Sequence, residues 1–284
     1  MIDETVAEIR EMQTHSSSVV AVKAARALRE LLDREYATLD EFERDLDHNA
    51  GALRRANPSH ASLHRTMRAV ADDVLGNAET VEGGKDLLEA AVDREVDRIE
   101  TGKREAAANA ADTFEDGETF LTHDYSSTVL EAIESAVAGG THLTAYVTEA
   151  RPRFLGRKTA RTLAAMDRVD AHLSVDAAAG HLLREVEPDR VVVGMDCIVE
   201  DTLYNRIGTF PIAAAAAEVG VPVTVVGSGT KVIDGGFRFE NEFRPPTEVM
   251  LEPADGITLE NPAYDATPMH LVGEVITDEG VIDR

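Results

Sequence analysis

Tryptophan is absent from the 284-residue chain, and cysteine occurs once, at Cys197. A lone thiol excludes an internal disulfide framework and a thiolate-held metal cluster. Lysine is also sparse: five lysines stand against 23 arginines. No apolar run approaches the ~20 residues that a bilayer-spanning helix needs, so no membrane contact is expected. The opening segment, MIDETVAEIREMQ, is acidic and amphipathic, without the basic start and apolar core of a secretory signal. The expected location is cytoplasmic.

Acidic residues are what the chain has in excess. Its 53 aspartates and glutamates outnumber 28 lysines and arginines, for a net charge of −25. The excess is dispersed: residues 1–110 carry 23 acids and 15 bases, and residues 111–284 carry 30 acids and 13 bases. A dispersed acidic surface is tolerated best where salt screens its self-repulsion, which points to a salt-rich, halophilic setting. No basic stripe is present to neutralise phosphates along a strand, so direct nucleic-acid binding is not expected. Hydrophobic residues make up 43% of the chain, too many for a disordered acidic polymer and enough for two domains.

Residues 1–112 read as an α-helical domain. Ser16-Ser17-Ser18 offers N-caps to a run with Val19, Val22, Ala25, Leu28 and Leu31 near helical spacing. Pro58-Ser59 opens a segment with Leu63, Met67, Val70 and Val74 on one face. Thr80 precedes another, marked by Leu88, Val92, Val96 and Ile99, and Lys103–Ala111 continues as a polar, alanine-rich helix. The texture changes near Asp116-Gly117, and residues 113–284 form the second domain. Strands are predicted at Thr119–Thr122, Leu143–Thr148, Ala171–Val175, Val191–Val199 and Val221–Val226. Helices are predicted at Thr128–Val137, Lys158–Val169, Ala177–Glu185 and Pro211–Val219. Apolar strands alternating with helices imply a Rossmann-like, doubly wound parallel sheet, so the fold class is α/β with a helical N-terminal domain. Such sheets bind ligands at the carboxyl ends of their strands, which singles out four loops.

The first loop, Thr122-His123-Asp124-Tyr125-Ser126-Ser127-Thr128, puts backbone N–H groups and hydroxyls where a helix starts. That suits either an anion or plain capping, including a capping box of Thr128 with Glu131. The second carries Arg151, Arg153 and Arg157, guanidinium forks for phosphate or partners of surface ion pairs. In the third, Asp196 follows the apolar run Val191-Val192-Val193, so partial burial would raise its proton affinity toward acid–base work; loop N–H groups would satisfy it otherwise. Cys197 beside it reads as a small buried apolar residue. Asn205 and Arg206 follow. In the fourth, Gly227-Ser228-Gly229-Thr230-Lys231, the glycines permit close approach of a ligand and Lys231 is placed to meet a phosphate. There is no Walker-type phosphate loop and no dinucleotide fingerprint, so neither ATP nor NAD is expected, and no cofactor or metal is called for.

These same segments resemble one family, the alpha, beta and delta subunits of eukaryotic translation initiation factor 2B with the related sugar-phosphate isomerases. The resemblance runs through Leu121–Leu130, Tyr146–Lys158, Gly194-Met195-Asp196 with Asn205–Thr209, and Asn261–Thr277, and more loosely through Ser18–Leu32 and Arg55–Ser59. It implies a helical domain, a Rossmann-like domain and a homodimer formed largely through the latter. Some members isomerise methylthioribose 1-phosphate or ribose 1,5-bisphosphate; others are regulatory subunits acting with initiation factor 2. In the isomerases a cysteine in the first loop and an aspartate in the third move the protons. Asp124 stands at the cysteine position and Asp196 at the aspartate position. Leu155 stands where the isomerases have glutamine, and Arg206 where a lysine usually follows the asparagine. The substrate-gripping Arg-Gly has no counterpart near Gln13-Thr14-His15-Ser16.

The resemblance implies two roles. The first is a non-catalytic regulatory dimer that binds a sugar phosphate or nucleotide, with initiation factor 2 subunits as partners. The alternative is an atypical phosphosugar aldose–ketose isomerase that uses Asp196 and Asp124. The residues expected at the ligand are Thr122, His123, Ser126, Ser127, Arg151, Arg157, Asn205, Arg206 and Lys231.

Overall fold

The computed structural model describes residues 2–11, 17–233 and 238–283. The stretch Gln13-Thr14-His15-Ser16 lies outside them. Two compact units emerge, Met1–Thr101 and Gly102–Arg284.

The first unit is helical: α1 (Ile2–Arg10), α2 (Ser17–Ala27), α3 (Leu39–Ala56), α4 (Ala61–Val74) and the opening turns of α5 (Val81–Ala111). Thr38 caps α3 by accepting from the Glu41 N–H, and Glu41 reaches back to the Ala37 N–H. The unit's core gathers Leu28, Leu31, Phe42, Leu46, Leu53, Leu63, Met67, Val70, Leu88, Val92 and Ile99. Val19, which the spacing places on the apolar face, is instead exposed, because Val20, Ala21, Ala24 and Ala25 make the buried stripe of α2. The last turns of α5 belong to the second unit, where Ala107 and Ala110 join the core. The change of texture at Asp116-Gly117 therefore marks the entry to the first strand and not the edge of a unit.

The second unit is built on β1 (Thr119–His123), α6 (Ser127–Ala138), β2 (Leu143–Thr148), α7 (Leu155–Leu163), β3 (Val169–Ser174), α8 (Ala179–Glu185) and β4 (Arg190–Gly194). These are followed by β5 (Cys197–Val199), β6 (Thr202–Arg206), α9 (Thr209–Val219), β7 (Val223–Val226), β8 (Val232–Ile233), β9 (Tyr264–Pro268), β10 (Glu274–Thr277) and β11 (Gly280–Asp283). Seven strands form one sheet in the order β11-β10-β7-β4-β1-β2-β3, parallel except for β11. The order reverses between β1 and β4, which makes the crevice beyond their carboxyl ends the natural ligand site of such a sheet. One apolar cluster holds Phe120, Val129, Ile133, Leu143, Val147 and Leu163. A second holds Leu121, Leu183, Val191, Val193, Ile212 and Val225. Phe120 and Leu121 alternate between the two, as neighbours on a strand must.

The strand predicted at Val191–Val199 breaks after Gly194. A Cβ at Gly194 would sit 2.5 Å from the Ser126 Oγ, so the chain passes tightly under the first loop and then leaves the sheet. Cys197–Val199 opens a separate four-stranded sheet, β8-β5-β6-β9. The predicted helix at Lys158–Val169 also shifts, to Leu155–Leu163, because Val169 already pairs with Leu143 in the sheet. Among the described residues no helix is long and apolar enough to cross a membrane.

Candidate functional site

Asp124 follows β1 with φ 64°, a left-handed conformation that a residue with a Cβ adopts at a cost. Its carbonyl accepts from the Thr159 hydroxyl at 2.6 Å, which fixes the turn to α7. Asp196 follows β4 in the break between the two sheets, its N–H donating to the Tyr204 carbonyl at 3.2 Å. Arg206, at the end of β6, lies between the two carboxylates. Its Nε is 3.6 Å from Asp124 Oδ2 and 3.5 Å from Asp196 Oδ2. Both carboxylates are buried and the Arg206 side chain nearly so, with the guanidinium 4.7 Å from the centre of the Tyr264 ring.

The electrostatics follow from this burial. Desolvation pushes the Asp124 carboxyl above its ordinary range, with Arg206 opposing. Burial works against the Arg206 charge, but Tyr264, Asp196 and Asp124 together hold its proton more firmly than usual. Lys231 is buried, donates to the Met195 carbonyl at 2.9 Å, and is held below the usual ammonium range by desolvation, which the charge of Asp196 counters. Burial, with Asp196 adding, pushes the Cys197 thiol up to about 12. A thiol in that state is no nucleophile, and its side chain is fully buried.

Asp124 and Arg206 line a small pocket of about 30 Å³. Its wall carries three further arginines, Arg151, Arg153 and Arg244, together with Leu155, Glu248 and Asn261. Four guanidinium groups around one cavity in a chain of net charge −25 make a local reversal of sign, suited to a phosphorylated ligand. Among the described residues no group of three or more histidine, cysteine, aspartate or glutamate side chains is placed to hold a metal ion.

Thr122, His123, Asn205 and Lys231, also expected at the ligand, do not line this pocket and are held in hydrogen bonds of their own. The Nε2 of His123 is 2.8 Å from the Ile207 carbonyl, which can only accept, so Nε2 carries the proton. Its Nδ1 faces the Thr148 hydroxyl at 2.6 Å. Gly208 lies against this ring: its φ is 107°, and an added Cβ would be 2.5 Å from His123 Nε2. Asn205 is buried and donates to Thr209 Oγ1 at 3.1 Å. Thr122 is buried, its carbonyl turned toward Thr148. The start of α9 is already closed by Asp265, whose carboxylate accepts from the Gly208 and Phe210 N–H groups at 2.7 and 3.0 Å.

Three more of the expected residues lie outside the pocket. Arg157 does not line the pocket: it pairs with Glu149 at 2.6 Å and lies over the Phe154 ring, because the left-handed turn at Phe154 directs it there. Ser126 and Ser127 do not line it either. Ser126 is the N-cap of α6, accepting from the Val129 N–H, and Ser127 is its first residue. The Thr128–Glu131 capping box therefore does not form, and Glu131 pairs with Lys103 at 2.6 Å. Conversely, Arg244, Glu248 and Asn261 come from a stretch without regular periodicity; the first two have no place in the sequence-based expectations, and Asn261 enters them only through the resemblance, not as a site residue. The signal available was charge: Arg244 is a lone base between Glu240, Glu242 and Glu248.

Comparison with known proteins shows what the chain is similar to. Ribose 1,5-bisphosphate isomerase of Haloferax volcanii is 33% identical, over 98% of this chain and 88% of its own. The enzyme of the same name from Methanocaldococcus jannaschii is 31% identical, over 99% of this chain and 91% of its own. The crystal structure of the Pyrococcus horikoshii OT3 translation initiation factor eIF-2B superposes with a TM-score of 0.82 at 25% identity, covering 99% of this chain and 96% of that one. The model of the initiation factor 2 subunit family matches residues 13–284, and the chain belongs to that family.

Proposed function

We propose that the protein is an aldose–ketose isomerase acting on a phosphorylated ribose of the ribose 1,5-bisphosphate type. The observation that carries this reading is the pair of buried carboxylates, Asp124 and Asp196, joined through Arg206 beside an arginine-lined pocket. The relatives named for that reaction support it over a purely regulatory role.

The chemistry needs two groups that exchange protons. Opening the ribose ring breaks the bond from C1 to the ring oxygen, and that oxygen must gain a proton. Hydrogen leaves C2 for C1, and the C2 hydroxyl gives up its proton to become the ketone. One group therefore donates as another accepts, and no external oxidant is required. Asp124, whose burial favours the protonated form, is the donor in this scheme, and Asp196 the acceptor. Arg151, Arg153 and Arg244 hold a phosphate group. Arg206 has to turn toward the substrate to free Asp196, which does not itself line the pocket.

A second reading, the non-catalytic binding dimer, is favoured by one feature: both carboxylates already share a counter-ion. Incubation of the protein with ribose 1,5-bisphosphate separates the two. Formation of the ketose bisphosphate, abolished in Asp196→Asn, is expected of the isomerase. Binding without turnover, together with capture of initiation factor 2 subunits, is expected of the regulator.

A further inference from the structure

Three of the four pocket arginines are turned toward one short segment. Arg151 Nη2 donates to the Val249 carbonyl at 3.1 Å. Arg244 Nη2 donates to Glu248 Oε1 at 3.0 Å, and Arg153 Nε lies 3.8 Å from the same oxygen. The other oxygen of Glu248 accepts from Asn261 Nδ2 at 3.2 Å. Glu248 closes the 3-10 turn Pro246–Glu248 and lines the pocket. A carboxylate held by two guanidinium groups and an amide occupies the donor set that phosphate oxygens use. Desolvation and the neighbouring Arg244 hold the Arg153 guanidinium below its usual range, with Glu248 opposing, so positive charge is crowded here.

We propose that Glu248 is a built-in anion that decides which ligands the pocket admits: an incoming phosphate group must displace its carboxylate from Arg153 and Arg244. The proposal rests on the sugar-phosphate reading of the pocket and adds the residue that sets its selectivity. A free monocarboxylate offers these arginines nothing that the tethered Glu248 does not already supply. A phosphate group brings about −1.5 to −2 charges and three acceptor oxygens, enough to compete. The pocket thereby discriminates phosphate from the carboxylate metabolites of the cell. Displacement also releases the turn, because Arg151 and Arg244 are its ties on the pocket side.

Calorimetric titration with inorganic phosphate and with acetate tests this. Glu248→Gln is expected to bind phosphate roughly three- to tenfold more tightly than the parent protein, and to narrow the gap between phosphate and acetate. Glu252→Gln removes the same charge from an exposed position four residues on and is expected to leave both affinities unchanged. Were Glu248 only a brace for the loop, its loss would loosen the arginines and weaken phosphate binding. Unchanged or weaker binding in Glu248→Gln overturns the proposal, as does an equal gain in Glu252→Gln. A second measurement uses the parent protein alone. The Val249 and Met250 amides donate to the Pro246 carbonyl at 3.0 and 3.1 Å, and phosphate is expected to speed their hydrogen exchange; unaltered or slower exchange contradicts displacement. These outcomes are independent of turnover. A protein that isomerises no sugar but gains phosphate affinity in Glu248→Gln keeps this inference and loses the isomerase reading, and the reverse pattern does the opposite.

Discussion

Asp124 and Asp196, 72 positions apart in the chain, share a single guanidinium: the Nε of Arg206 lies 3.6 Å from one and 3.5 Å from the other. Removing that cation takes from both buried carboxylates the guanidinium they share, leaving Asp196 only the more distant charge of Lys231. Arg206→Ala is therefore expected to destabilise the protein by about 3–5 kcal/mol in denaturant titration, the range for breaking a buried ion pair from one side. Arg206→Lys restores the charge but not the planar fork and is expected to recover part of that loss. An alanine variant as stable as the parent would show that the pairing contributes nothing.

Asp124 carries a pH signature of defined sign. Its carboxyl titrates above the ordinary value in the folded protein, so the folded state keeps this proton where the unfolded chain has lost it. Its contribution to stability is full below the unfolded value, roughly 3.9, and declines as pH rises through the folded value. Asp124→Asn removes the penalty. Melting curves across the range are expected to show the variant gaining on the parent protein as pH rises from about 4 and holding a constant advantage above the folded value. A constant offset at all pH values would contradict the raised affinity.

Gly208 tests how tightly the Arg206 turn is seated on His123. Gly208→Ala places a Cβ into the imidazole and imposes a positive φ on a residue that avoids it. The expected loss is about 1–3 kcal/mol of stability, with weaker sugar-phosphate binding because Arg206 and Ile207 shift. His123→Ala in the same background removes the clash and is expected to return part of the stability. Additive losses in the double variant would argue against the contact.

The acidic surface makes a separate prediction. Ion pairs such as Arg26–Glu100 and Arg94–Asp73 are exposed and lose strength in salt. Repulsion among 53 acids against 28 bases is relieved by the same screening and outweighs them. The melting temperature is expected to rise from ~0.1 M to ~2 M potassium chloride. A fall over that range would remove the halophilic reading.

The sheet was legible because its strands are short apolar runs between helices, and a parallel sheet buried on both faces leaves that pattern. Asp124 and Arg151 were legible for the same reason, each lying just after a predicted strand, whereas Asp196 was read from the apolar run before it and Arg206 from the resemblance. The break after Gly194 was not, because Val191–Val199 is continuously apolar apart from Asp196, and only the close passage under Ser126 divides it. Arg157 was misplaced because its pairing with Glu149 depends on a local backbone turn that composition does not encode. Arg244, Glu248 and Asn261 come from a segment with neither helical nor strand spacing. Only tertiary folding carries them to the pocket, against Arg153 and Arg151.

The most direct measurement follows ribose 1,5-bisphosphate by phosphorus NMR with the parent protein and with Asp124→Asn. The account predicts conversion to the ketose bisphosphate by the parent protein and a fall of roughly 10²-fold or more in the variant, the usual worth of a positioned acid–base group. No conversion by the folded parent protein, or an undiminished rate in Asp124→Asn, would contradict the role assigned to this pair of carboxylates.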